Sequence, residues 1–256
     1  MSNEQSLNDF VEEAIRITSE AQKRGIILRV IGAIAFKIHC PKHGKIFATL
    51  KREISDIDVV GVSKQITQIR TFFKDIGYKE RPLTLSLASA NRIIFIDEQR
   101  KRHVDVFLDK LLMCHTLDFR NRLEIDYPTL SLADLLLEKM QIVKLNEKDI
   151  KDTIVLLMEH NVGESDHETI NVKYIAKILS DDWGFYFTVT TNLKKVREYI
   201  FHINELSNGK KEEVESKINE ILKRIEEEPK SVRWKMRAKL GTKKKWYREV
   251  ESIPGL

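Results

Sequence analysis

A chain of 256 residues, 42% hydrophobic and 32% charged, holds enough apolar material for a packed core and excludes a wholly disordered polypeptide. Ten glycines and five prolines exclude a collagen-like or proline-rich protein, and two cysteines, Cys40 and Cys114, exclude a disulfide scaffold. Of the net charge of +5, the stretch between Lys230 and Arg248 supplies nine cations and no anion, so the remainder is mildly acidic at −4. Residues 1–10 are polar where an export signal needs a basic start and an apolar run, and no segment approaches the roughly 20 apolar residues that span a bilayer. The expectation is a cytoplasmic protein without a membrane partner.

In chain order, Asn8 or Asp9 is placed to cap a helix carrying Phe10, Val11, Ala14, Ile15 and Ile17, which closes near Gly25. Residues 26–31 are rich in β-branched side chains, stop at Gly32 and predict a buried strand; residues 33–38 open a second helix, and Pro41, His43 and Gly44 mark a loop. Residues 57–62 predict a strand, with Ser63 capping a helix to about Asp75. Residues 83–87, 92–96 and 103–108 predict three more strands, the last two joined as a hairpin. Beyond Pro128 the pattern turns helical: 132–145 after a Ser131 cap, 147–160, 169–179 and 193–206. A charged helix follows over 210–228, with Val214, Ile218, Ile221, Leu222 and Ile225 as its apolar stripe. The fold class is therefore α/β, a mixed-sheet domain over 1–125 followed by an all-helical domain over 126–208, with a charged helix and basic tail over 209–256.

The informative motif is Ser55-Asp56-Ile57-Asp58-Val59. Strand residues i and i+2 share a face, so Asp56 and Asp58 project together while Ile57 turns to the core. Side-by-side carboxylates repel and resist desolvation, and a divalent cation compensates both effects. Asp105, between apolar neighbours in the strand around 103–108, is a candidate third carboxylate for a two-metal site. A lone Asp-x-Asp on an exposed strand edge is the bland alternative, opposed here by the apolar Ile57, Val59 and Val60.

A strand ending at Ile31-Gly32-Ala33, a helix, a strand opening with Asp56-Ile57-Asp58 and a later Asp105 together resemble the nucleotidyltransferase superfamily related to DNA polymerase beta. Leu136-Leu137-Glu138-Lys139-Met140, followed by Lys148-Asp149-Ile150-Lys151-Asp152, is similar to the branch containing AbiEii-type abortive-infection toxins, as is Arg52 four residues ahead of Asp56. The resemblance spans about residues 25–160. It implies a nucleotidyltransferase-type sheet domain, Mg²⁺ (or Mn²⁺) on Asp56, Asp58 and Asp105 as metal-binding and catalytic residues, and a nucleoside triphosphate such as ATP as substrate. It further implies phosphate contacts from Gly32, Ala33, Arg52, Ser55 and Lys139, those of Gly32 and Ala33 through backbone N–H groups at a helix start. Ala33 departs from the family's Gly or Ser and offers no hydroxyl, and the 24 positions from Gly32 to Asp56 exceed those of minimal members.

Weaker signals frame the rest. Asp149 and Asp152, three apart, share a helix face and can orient Lys139 or a substrate group, or favour the helix start. His39, Cys40 and His43 invite a zinc reading that Pro41 interrupts. The aromatic stretch 181–187 reads as helix packing, with Gly184 as a break between two helices. The interleaving of Trp234, Trp246 and Tyr247 with nine cations makes the tail a candidate RNA-binding element, or else a solvated terminus or an arm docked on the acidic body of the same or a neighbouring subunit. The acceptor stays open among RNA, a protein hydroxyl and a small molecule such as an aminoglycoside. The alternative functions are a non-catalytic nucleic-acid-binding protein and an antitoxin-like partner that retains the fold.

Overall fold

The computed structural model describes residues 3–42, 56–82 and 91–250, with side chains from Asn8 onward; the strand expected over 83–87, and Arg52 and Ser55, lie outside the described residues. The chain divides into two compact units, one built on Met1–Leu112 and Thr116–Leu130, the other on Met113–His115 and Ser131–Val250.

In the first unit α1 (Asn3–Lys23) begins ahead of the expected cap, because no proline or glycine upstream stops it, and buries Ala14, Ile17 and Ala21. There follow β1 (Leu28–Ile31), α2 (Gly32–His39) and β2 (Ile57–Gly61). Ser63 caps no helix: it opens a 3₁₀ turn over Ser63–Gln65 ahead of α3 (Ile66–Asp75), and its own N–H donates to Asp109 Oδ1 at 2.9 Å. Next come β3 (Lys79–Glu80), the expected hairpin of β4 (Arg92–Asp97) and β5 (Arg102–Leu108), and a small antiparallel ribbon of β6 (Lys110–Leu112) and β7 (Thr116–Asp118). The main sheet has the order β1-β2-β5-β4-β3 and is mixed: β2 and β5 run parallel, and every other neighbouring pair antiparallel.

Register assigns the two faces of this sheet. Ile57 pairs with Val104 and Val104 with Phe95, and Phe73 of α3 stacks on Phe95 with ring centroids 4.2 Å apart. That row is the core face, so the row displaced by one residue, Asp58 with Asp105 and Ile94, stands on the other. The mixed α/β sheet domain is thus built as the period-two pattern requires.

In the second unit Ser131 Oγ accepts from Asp134 N–H and starts α4 (Leu132–Met140), buried along its whole length. It ends five residues short of the expected span. The unit continues with α5 (Glu147–Glu159), a parallel pair β8 (Asn161–Gly163) and β9 (Thr169–Asn171), and α6 (Val172–Leu179). α7 (Trp183–Tyr199) begins ten residues before the expected start, because Asp182 caps it by accepting from Phe185 N–H at 3.0 Å. Gly184 is consequently inside a helix and breaks nothing. Its missing side chain is required instead by close approach: a Cβ there would lie 2.6 Å from the Trp246 carbonyl oxygen.

α8 (Asn208–Glu227) buries Val214, Ile218, Ile221 and Ile225. The basic segment, expected as a tail, carries a further helix, α9 (Val232–Leu240), capped by Ser231, and packs on α7 through its rings. Trp234 meets Tyr186 edge-on at 5.1 Å, and Trp246 meets Phe187 at 5.2 Å. Arg237 donates to the Gly241 and Lys244 carbonyls, and Arg248 to that of Met113. Among the described residues, no helix is long and apolar enough to cross a membrane.

Candidate functional site

The site builds itself from strand register in the first unit. β2 and β5 are parallel with Asp58 opposite Asp105, so the residues two positions earlier, Asp56 and His103, also come side by side on the same face. Asp56 Oδ2 lies 3.9 Å from His103 Nε2. Asp56, His103 and Asp105 each bring one ligand atom within 4.8 Å of the others. Access is graded: the Asp56 side chain is 41% exposed, that of His103 22%, and that of Asp105 is wholly buried.

Each carboxylate has its own source of compensation. Asp105 Oδ2 accepts from Arg92 on the neighbouring β4, whose guanidinium also covers the Phe107 ring at 5.4 Å. Burial pushes the Asp105 carboxyl above its ordinary range, and the Arg92 charge and hydrogen bond pull against that. Asp56 stands beside His103. Asp58 is not a member of the three-residue cluster among the described residues; its carboxylate lies against Gly32, at the first turn of α2, where the helix dipole favours an anion.

Gly32 is therefore needed on two counts. Its φ of +67° lies in the left-handed region, and a Cβ would stand 2.9 Å from Asp58 Oδ2. We expect Gly32→Ala to cost about 1–3 kcal/mol in a urea melt and to turn the Asp58 carboxylate away from α2. An unchanged melting curve would mean that the backbone there relaxes freely.

The remaining expected residues are distributed as follows. Ala33 lies in the opening turn of α2 beside Gly32. Arg52 and Ser55 lie outside the described residues, as does His43 of the zinc reading; His39 Nε2 instead contacts Thr129 Oγ1, with Asp126 Oδ2 at 3.6 Å. Lys139 is in the second unit, buried, with its ammonium 3.3 Å from Asp149 Oδ1 and 3.2 Å from Asp152 Oδ2. Both carboxylates of that motif thus pair with it.

His103 is the member that motif reading passed over. Its signal was present: it sits two residues before Asp105 in the same strand, as Asp56 sits two before Asp58.

The donor set suits a divalent cation. Two carboxylates and an imidazole converge, and Asp105 Oδ1 is buried without a hydrogen-bond partner among the described residues. Such an oxygen costs about 1–3 kcal/mol unless something satisfies it, and a cation beside Asp56 and His103 would do so.

No known protein-family model matches the sequence, and no curated protein does. One solved structure that resembles the chain is the solution structure of the antibiotic-resistance factor ANT(2'')-Ia, with a TM-score of 0.39 and 11% identity, over 70% of this chain and 96% of that one.

Proposed function

We propose that the chain is a metal-dependent nucleotidyltransferase, moving a nucleoside monophosphate from a nucleoside triphosphate, with ATP as the first candidate, to an acceptor hydroxyl and releasing pyrophosphate. The observation that supports it is the in-register alignment of Asp58 with Asp105 across parallel strands, with Asp56 beside them on the face opposite the core. Asp56, Asp58 and Asp105 would hold Mg²⁺ or Mn²⁺, which neutralises triphosphate charge and lowers the pKa of an attacking hydroxyl when bound.

The chain's own groups do the positioning. Arg92 opposes the effect of burial on Asp105 and so favours its ligating, charged form. Asp58 lies against the start of α2, and backbone N–H groups at Gly32 and Ala33 are the proposed seat of a phosphate. Arg52 and Ser55 enter as phosphate contacts on the family resemblance alone.

RNA is the proposed acceptor. Arg233, Lys235, Lys239, Lys243, Lys244, Lys245 and Arg248 are exposed, a row of cations suited to a phosphate backbone. The rings among them are engaged in packing, so backbone attraction rather than base stacking would carry the contact.

Incubation with each labelled triphosphate, Mg²⁺ or Mn²⁺ and total RNA tests the reading, with Asp58→Ala as control. Transfer of label to RNA that disappears in Asp58→Ala is expected. Transfer that survives the substitution would show the site to be elsewhere. Salt-sensitive RNA binding with no transfer to any acceptor would favour the non-catalytic binding protein, and a stable co-purifying partner with neither property the antitoxin-like one.

A further inference from the structure

We propose that the cation at this centre takes His103 as a nitrogen ligand alongside Asp56 and Asp105, making a mixed carboxylate–imidazole site that prefers first-row transition ions to magnesium. The inference rests on the nucleotidyl-transfer reading only for the presence of a cation; the identity of the ligands comes from the sheet.

Three observations converge on it. The residues that bring ligand atoms within 4.8 Å of one another are Asp56, His103 and Asp105, one of them an imidazole where three carboxylates were expected. The parallel register makes this more than an accident of side-chain rotation. With Asp58 paired to Asp105, the place beside Asp56 belongs to the residue two before Asp105, and that residue is His103. Third, Asp105 keeps one oxygen, Oδ1, buried and without a hydrogen-bond partner among the described residues, while its other oxygen is held by Arg92. One oxygen is thus anchored by the protein, and the other still requires a partner.

The chemistry of that donor set discriminates among ions. Mg²⁺ asks for oxygen ligands in near-ideal octahedral geometry and gives up water reluctantly. An imidazole nitrogen adds little for Mg²⁺ but strengthens binding along the series from Mn²⁺ to Co²⁺.

The test uses the full-length chain with Mn²⁺, Co²⁺ and Mg²⁺ as probes. Titration followed by loss of the free Mn²⁺ EPR signal, with Co²⁺ and Mg²⁺ as competitors, should give affinities in the order Co²⁺, Mn²⁺, Mg²⁺. His103→Ala should weaken Mn²⁺ binding by at least about tenfold, and His103→Asp should restore Mg²⁺ towards parity with Mn²⁺. Pulsed EPR of wild-type protein with bound Mn²⁺ should show a ¹⁴N coupling that His103→Asp abolishes, a signature that a merely structural role would not produce. Mn²⁺ bound without ¹⁴N coupling, and lost in Asp105→Asn but unchanged in His103→Ala, would overturn this ligand assignment and leave the nucleotidyl-transfer reading standing. No binding of any of the three ions, with or without a nucleoside triphosphate, would overturn both.

Discussion

Asp105→Asn is expected to lower kcat/KM for nucleotidyl transfer by on the order of 10³-fold, equivalent to about 4 kcal/mol of transition-state stabilisation. The substitution is nearly isosteric and keeps an oxygen that can accept from Arg92, so the fold should survive it. What it removes is the negative charge, at the one carboxylate of the site that is wholly shielded from water. In that setting a charge acts on a cation with little screening, and an amide cannot replace it. Arg92→Met makes the complementary change. It leaves a buried carboxylate with no cation, and breaking a pair of this kind costs about 3 kcal/mol. Asp105 is already pushed upward by burial and would be pushed further. A carboxyl raised in the folded state holds a proton that the unfolded chain has released, so Arg92→Met should lose stability as pH rises above the ordinary aspartate range. It should recover part of that stability in acid. Urea melts of both variants at pH 4 and pH 7, run beside the transfer assay, separate the two effects. Wild-type transfer by Asp105→Asn would remove this residue from the chemistry.

The sheet was legible in the sequence because its two faces differ in kind. Ile57, Val59, Val104 and Val106 alternate with Asp58 and Asp105, and period-two alternation both predicts strands and says which side chains travel together. The strand order was not legible. Whether β2 lies beside β5 or β4 depends on long-range packing such as Phe73 on Phe95, and only that adjacency brings His103 to Asp56. Among the helices, α4 and α5 announced themselves through Ser131 and Asn146, whose side chains accept from the third residue on. The first ten residues of α7 are not legible, because Gly184 in a run of rings reads as a stop and the Trp246 carbonyl that demands a glycine there is 62 positions away in sequence. α9 was missed because charge dominates it and it buries none of its residues fully, so hydrophobic periodicity had nothing to report.

Acidification should destabilise the second unit through His115, by about 2 kcal/mol between pH 7.5 and pH 5 and about 3 kcal/mol by pH 4. The residue is 5% exposed, its ring stacks on Phe185 with centroids 5.0 Å apart, and its Nε2 lies 2.9 Å from Thr188 Oγ1. That hydroxyl donates its only proton to the Gly184 carbonyl and accepts from Trp246 Nε1, so its remaining lone pair is left to accept from His115 Nε2–H. The geometry thereby assigns the neutral ring protonated on Nε2. A second proton would have to enter a stacked, buried environment, and burial holds the imidazole down at about 4, with Arg248 adding to the effect and Asp182 opposing it. The unfolded chain, with an ordinary histidine near 6.5, takes up that proton first. Stability is therefore complete above about pH 6.5 and is lost as pH falls towards 4. His115→Gln retains an N–H donor for Thr188 and removes the titration, so its urea midpoint should fall less steeply across this window than that of the wild type. Carboxylates elsewhere titrate alike in both proteins and cancel in the difference. Parallel curves for the two would show that His115 is protonated as readily in the folded chain as in the unfolded one.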